Sequence, residues 1–463
     1  TKAATNPDIA TQTPNTQNGD FRDPTTAWWD AFNGVWVMAV GNQQPGATGT
    51  VQLYTSPDML VWTYSNALFA VPGSGMFECP DFFPLAGSPG LHLLKVSNGP
   101  DSYWLGTSNA TTRTFSPVTP RMDYDYGQAY ASKTFFDAKS AWRPLRLPPT
   151  AHTRAIAAPP RTTRVLAADD RQVLWIWVAE EDGNGPARGW ASTQALPRVV
   201  SYDADTGLIT LQPLPELATL RNTTLAQVGE TVIADGAMQL IAGAVGDMLE
   251  IDAYFALPTT TASVQFGIAV RVSADTSVRT LVTLGYTPGG FIANNTDRPG
   301  DDNYIYDMDP SAPEAWNVGN CSAGCAANAS CVAFVYVRPG DGDCRCCYKS
   351  SIPAPQPNNY CVSGVKTTTL ELFVDRTASS TDGSTSTRGG NVPLVAGDPP
   401  TARLHVFVDR SIIESFANWG RGRVISRVYP NATDATGVAL FATGGDVTLL
   451  SATMWSMNSI WDD

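Results

Sequence analysis

Histidine and charge are both scarce in this chain of 463 residues. Only three histidines occur, His92, His152 and His405, far apart, and charged residues make up 16%. So thin a supply of imidazole argues against a histidine-rich metal centre. The charge that is present leans acidic, with 30 Lys+Arg against 43 Asp+Glu and a formal net charge of −13. Such a chain makes a poor partner for nucleic acid or for an anionic membrane surface. No apolar run approaches the roughly 20 residues of a membrane span, and the densest, Val173 to Ala179, has the length of a strand. The sequence opens on Thr1-Lys-Ala-Ala-Thr5, without an initiator Met or a leader-like segment. Runs rich in Leu, Ala, Glu and Lys, the mark of long helices, are also missing.

What is present points to an all-β protein. Hydrophobic residues reach 43%, enough for a large packed core, and Gly 39, Pro 34 and 10% aromatics favour many short strands joined by tight turns. Seven of the eight cysteines fall between Cys321 and Cys361. That density, with the glycosylation acceptors at Asn109, Asn222, Asn294, Asn320, Asn328 and Asn431, suggests an oxidising compartment and hence a secreted, extracellular or vacuolar protein. Cys344-x-Cys346-Cys347 does not fit a zinc knuckle, so disulfides are expected; three bridges would leave one thiol of the seven over, with the pairing open.

Residues 1–20 read as a polar surface connection. Three blocks of about four strands each follow, opening on Phe21-Arg22-Asp23-Pro24, Phe77-Glu78-Cys79-Pro80 and Tyr124-Asp125-Tyr126-Gly127. Each opening joins an aromatic residue to an acid and then to Pro or Gly, and the acids recur at a period of about 50 residues, as in propeller blades. An acid at the start of each innermost strand is expected to face the central axis. The third block carries a Pro/Arg-rich excursion over 138–164. Residues 1–211 are thus expected to form three blades and 212–222 a linker. Residues 223–463, with alternation as in Leu404-His-Val-Phe-Val-Asp409, are expected to form a β-sandwich. The cysteine patch, about 297–366, reads as a large loop inserted in it, and 377–400 as a Ser/Thr/Gly/Pro-rich surface loop.

Five stretches carry a resemblance. Phe21 to Trp28 resembles the Arg-Asp-Pro motif of glycoside hydrolase family 32, the β-fructofuranosidases, nearest to plant-type acid invertases. Met76 to Phe82 resembles the family's Glu-Cys-Pro motif, and Asp125 to Phe136 its Asp-Tyr-Gly segment. Gly189 to Arg198 is similar to the last-blade Gly-Trp-Ala stretch, and Val408 to Phe416 with Ser426 to Pro430 to the sandwich signature. The resemblance implies a five-bladed β-propeller followed by a β-sandwich, of which this chain carries the last three blades. The family's nucleophile, an Asp in an Asn-Asp-Pro context, has no counterpart here. The implied partner is therefore an N-terminal fragment that completes the propeller and supplies that Asp. The cysteine-rich stretch faintly resembles an apple/PAN-type module.

Residue by residue, the resemblance makes Glu78 the general acid/base and Asp23 the transition-state stabiliser that holds sugar hydroxyls. Phe77, Phe82 and Phe83 would give Glu78 an apolar setting that raises its pKa. Cys79 would tune Glu78 or serve as a small buried hydrophobe. Arg22 would orient Asp23 or reach substrate, or else be a solvated ion-pair partner. Asp125 stands where family members select sucrose, but their Lys three residues on is Gln128 here, which would leave Asp125 less neutralised. Trp190, Trp104 and Trp177 are candidate sugar-stacking rings. Asp409 and Glu414 are expected to be structural. The implied activity is retaining cleavage of β-fructofuranosides, sucrose or fructan, with no cofactor and no metal. A fructosyltransferase on the same scaffold and an inactive carbohydrate-binding homologue are the alternatives.

Overall fold

The computed structural model describes residues 6–461 apart from 7, 10–11, 14, 18, 138–170, 181–184, 260–261, 290–291, 299–301, 308–317, 329, 338–344, 351, 354–355, 366, 380–386 and 396–397. The Pro/Arg-rich excursion and Cys344 therefore lie outside the described residues. The chain divides into two compact units, one running to Leu214 and the other from Pro215 to Asp463, with 181–184 grouped with the second. No helix among the described residues is long and apolar enough to cross a membrane.

The first unit consists of three five-stranded antiparallel sheets. The first contains β1 (Phe21–Arg22), β2 (Trp28–Asp30), β3 (Val35–Gln44), β4 (Thr48–Ser56) and β5 (Thr63–Val71). The second contains β6 (Glu78–Pro84), β7 (Leu91–Ser97), β8 (Asp101–Asn109), β9 (Thr114–Pro117) and β10 (Met122–Asp123). The third contains β11 (Tyr130–Asp137), β12 (Arg171–Val178), β13 (Thr193–Gln194), β14 (Arg198–Asp203) and β15 (Leu208–Pro213). In each sheet the chain steps outward from the first strand, the order expected of propeller blades.

Similar turns recur between these strands. Asp30-Ala-Phe-Asn-Gly34, Asn109-Ala-Thr-Thr-Arg113 and Asp203-Ala-Asp-Thr-Gly207 each close with the N–H of the fifth residue on the carbonyl of the first. The Asp or Asn side chain accepts an N–H two residues on, and the fifth residue takes a left-handed φ of 65°, 52° and 70°. A different turn delays β5. Asp58 Oδ1 accepts the N–H groups of Leu60 and Val61, and the strand begins only at Thr63.

The blades join through apolar side chains. Val37, Ala39, Val51, Leu53 and Leu68 of the first pack on Phe77, Leu94, Val96, Trp104 and Phe115 of the second. Strand alternation sends Trp28 into this core against Phe82, and Trp29 the other way onto Trp36.

In the second unit a seven-stranded and a six-stranded antiparallel sheet carry the buried residues of a sandwich. Phe255 of one sheet meets Phe266 of the other at 5.2 Å between ring centres. The supposed 377–400 loop contains a strand, Arg388–Val392, hydrogen-bonded to Thr369–Asp375. The cysteine-rich insertion is likewise no loop. It forms its own five-stranded sheet with a helix, Val318–Ala327. Its outer strand Ile292–Asp297 and neighbour Gln356–Val365 continue the sandwich hairpin of Thr280–Thr287 and Thr369–Asp375. Cys321–Cys346 ties the helix to the sheet, and Cys325–Cys331 ties it to the following segment. The half-cystines pack with Phe334, Tyr336, Tyr348 and Val362 into a small core of their own. Arg298, almost fully buried, pairs with Glu371 at 2.8 Å and anchors the insertion to the sandwich.

Candidate active site

The innermost strands of all three blades lose regularity near the same residues. Asp23 follows β1 at φ 60°, Cys79 lies at φ 45° inside β6, and Ala131 lies at φ 49° inside β11. The ladder register slips between Glu78 and Asp81 and again between Tyr130 and Lys133. Left-handed non-glycine residues are costly and bulges re-aim side chains, and both concentrate at functional sites.

These irregularities bring the predicted acids together. Asp23 Oδ2 accepts the Cys79 N–H at 3.1 Å and its thiol at 3.5 Å. Arg22 Nε approaches Glu78 Oε1 at 3.3 Å while Arg22 Nη2 binds Asp20 at 2.6 Å. Each carboxylate is thus held by the neighbour of the other. The Glu78 side chain keeps 27% of its surface exposed, so it can meet a ligand. Gly41, paired with Arg22 on β3, makes this approach possible: a Cβ there would sit 2.2 Å from the Phe77 carbonyl oxygen.

Tyr130, which the sequence reasoning passed over, donates its hydroxyl to Glu78 Oε2. Burial, and then the Glu78 carboxylate, raise the Tyr130 pKa well above its usual value, so it remains a donor. Burial also pushes the Cys79 thiol up to about 11, which keeps it protonated and able to donate to Asp23. Cys79 is therefore a hydrogen-bonding link as well as a half-buried side chain. The apolar collar expected around Glu78 is not what surrounds its carboxylate. Phe77 is wholly buried in the core between the first two blades, with Phe82 packed against it, and the oxygens of Glu78 meet Arg22 and Tyr130 instead.

A cavity of about 950 Å³ is walled by residues of all three blades. Thr25, Trp28, Asp81, Phe82, Phe136 and Arg113 are among its walls, and neither Asp23 nor Glu78 lines it. Within it burial pushes Asp81 up to about 6, against the pull of Lys95 and Lys133.

The comparisons decide the family. A model of the glycosyl hydrolases family 32 N-terminal domain matches residues 1–146, and a model of that family's C terminal matches residues 216–456. The chain belongs to glycosyl hydrolase family 32. It is 29% identical over 472 residues to acid beta-fructofuranosidase AIV-18 of Capsicum annuum, covering 95% of this chain and 60% of that protein. It is 27% identical over 491 residues to the insoluble isoenzyme CWINV5 of Arabidopsis thaliana, covering 99% and 72%. The chain thus spans only about three fifths of the Capsicum relative. The fold resembles that of fructan 1-exohydrolase IIa from Cichorium intybus, with TM-score 0.71 at 21% identity, over 99% of this chain and 75% of the other.

Within this family 32 chain, other expected site residues fall elsewhere. Asp125 is held by partners outside the Asp23 and Glu78 cluster. It is fully buried, pairs with the equally buried Arg198 at 2.7 Å, and accepts the Gly127 N–H at 2.7 Å. The expectation that Gln128 leaves it less neutralised is overturned, because the compensating cation comes from the last-blade motif. A carboxylate with no solvent requires such a partner. Gln128 is half-buried, with its side-chain oxygen out of solvent. Trp104 belongs to the core between blades. Trp190 is 42% exposed, just after the short helix Gly185–Arg188. Trp177 is 40% exposed and packs on Tyr130 at 6.1 Å, which makes it the indole beside the Glu78 cluster. In the sandwich Glu414 is buried and Asp409 is exposed beside Arg410.

Proposed function

We propose that this chain is the larger part of a retaining β-fructofuranosidase acting on sucrose or fructan. The reading rests on the cross-tied pair: Asp23 held by Cys79, and Glu78 held by Arg22 and Tyr130. Fructoside cleavage passes through an oxocarbenium-like state and needs an acid, a nucleophile and stabilisation of ring charge. In the first step a carboxylate nucleophile attacks the anomeric carbon while Glu78 gives its proton to the departing glycosidic oxygen. In the second Glu78 takes a proton from water, which attacks the same carbon and expels the nucleophile. Asp23, accepting hydrogen bonds from the sugar hydroxyls, binds more tightly as positive charge grows in the ring. Trp177 and Trp190 offer exposed faces for the sugar.

The nucleophile Asp belongs, in this reading, to a segment outside the 463 residues, since no Asn-Asp-Pro occurs in them. The exposed rings of Trp29 at 49% and of Trp175 at 40% suit the faces that two further blades would cover. The clustered cysteines suit a secreted or vacuolar protein. The test is to incubate the full-length protein with sucrose and with inulin in dilute methanol. Release of fructose together with methyl β-fructofuranoside is expected. No release from either substrate, or a product of inverted configuration, would overturn the reading. Turnover of sucrose by the 463 residues alone would refute the external nucleophile.

A further inference from the structure

Two lysines grip the inner strands and are left without a task by the chemistry above. Lys95 of β7 is 0% exposed. Its Nζ donates to the carbonyls of Cys79 at 3.2 Å and Ser132 at 2.6 Å and to Ser97 Oγ at 3.0 Å, and pairs with Asp101 at 3.4 Å. Asp101 in turn accepts the Ser132 N–H at 3.0 Å and the Ser97 hydroxyl at 2.5 Å. The backbone of Ser132 is therefore gripped on both sides, two residues from Tyr130, while the Cys79 carbonyl is gripped one residue from Glu78.

Lys133 reaches from the third blade to the other two. Its Nζ donates to the Pro80 carbonyl at 2.8 Å and to those of Asp23 and Pro24, each at 3.4 Å. An ammonium has three donors and no acceptor, so carbonyls from separate strands can share it. Surface lysines rarely give up their hydration for such contacts, because burying a charge is costly unless its donors are filled. These two bear that cost beside Asp23, which follows β1, and beside Glu78 and Tyr130, which begin β6 and β11.

We propose that Lys95 and Lys133 are positioning residues: a paired ammonium clamp that holds the three inner strands in register and so fixes Glu78 against Asp23 and Tyr130. The proposal deepens the fructosidase reading and rests on it for its effect on turnover. Misplacing a reacting group by about an ångström costs on the order of 100-fold in rate. A clamp on the catalytic strands should therefore act on kcat with little effect on KM.

The experiment uses the full-length protein with Lys133→Met, Lys133→Arg and the charge-neutral pair Lys95→Met with Asp101→Asn. The pair avoids stranding a buried carboxylate and keeps the test open if Lys95→Met alone does not fold. Steady-state kinetics on sucrose are read beside hydrogen exchange of the segments 77–82 and 130–134. In Lys133→Met and in the pair, kcat is expected to fall about 100-fold with KM within about threefold. Exchange in both segments should rise about tenfold, with the sandwich unchanged. Lys133→Arg, which keeps the donors, should recover kcat to within about tenfold of wild type. Exchange unchanged in the folded variants overturns the clamp, whatever the activity. Faster exchange with kcat unchanged overturns its role in positioning. A wild-type protein inactive on sucrose and inulin is a different failure, that of the fructosidase reading, and the exchange result still decides the clamp.

Discussion

Replacing Arg198 separates a structural from a substrate-binding role for Asp125. Both side chains of this pair are 0% exposed and 2.7 Å apart. Removing the guanidinium alone, as in Arg198→Met, leaves a buried carboxylate without its cation. Losing one partner of a buried pair costs about 3–5 kcal/mol, because the stranded charge keeps its desolvation penalty without the compensating attraction. Asp125→Asn keeps the acceptor for Gly127 and strands the guanidinium instead. The double variant removes both charges and should recover much of either loss, as a double-mutant cycle would register. Urea unfolding of the four proteins, followed by tryptophan fluorescence, gives the comparison. If Asp125 contacted sugar, Asp125→Asn would raise KM for sucrose while leaving stability near wild type, and the two substitutions would be additive. That result would refute the structural assignment.

Other consequences follow from the same geometry. Gly41→Ala should lower kcat by more than about tenfold, because its methyl would displace the Phe77 carbonyl and pull Glu78 from Arg22; unchanged kinetics would contradict the close approach. Tyr130→Phe should lower kcat about tenfold or more at constant folded fraction, read by sucrose turnover against thermal melting. Stability should peak in mild acid. Burial would push Glu250 up, but Arg221 and His405 outweigh it and hold it at about 2, so its contribution is present above its unfolded value of 4.5 and lost as pH falls towards 2. Asp81, raised by burial to about 6, contributes stability below its unfolded 3.8 that is lost as pH rises through 6. A melting temperature that climbs steadily from about pH 4.5 to 6.5, across the Asp81 window, would contradict this pairing. Reduction of Cys321–Cys346 and Cys325–Cys331 should cost the insertion about 3 kcal/mol and speed exchange in 318–349 while sparing the sandwich strands.

The blades were legible because their signals are local. The Phe-Arg-Asp-Pro and Phe-Glu-Cys-Pro openings and the alternating strands after them sit close together in sequence, and both acids proved to be neighbours in space. The third opening misled for the same reason. Asp125 satisfies the local pattern, but its position is set by Arg198, 73 residues away, and no local pattern encodes that partner. The polar group that the third blade brings to Glu78 is Tyr130, which like Glu78 begins an inner strand with a slipped register and a left-handed next residue. Bulges carry no strong sequence mark when glycine is absent, so Tyr130 and the lysine contacts were invisible. The insertion was misread as a loop because its cysteines stand out in its composition, while its strands are mostly short and rich in Tyr and Asn.

Glu78 donates and recovers the proton beside Asp23, so Glu78→Gln in the full-length protein should lower kcat on sucrose about 1,000-fold with an unchanged melting profile, and added azide should restore turnover with β-fructosyl azide as product. A Glu78→Gln protein that hydrolyses sucrose within threefold of the wild-type rate would contradict it.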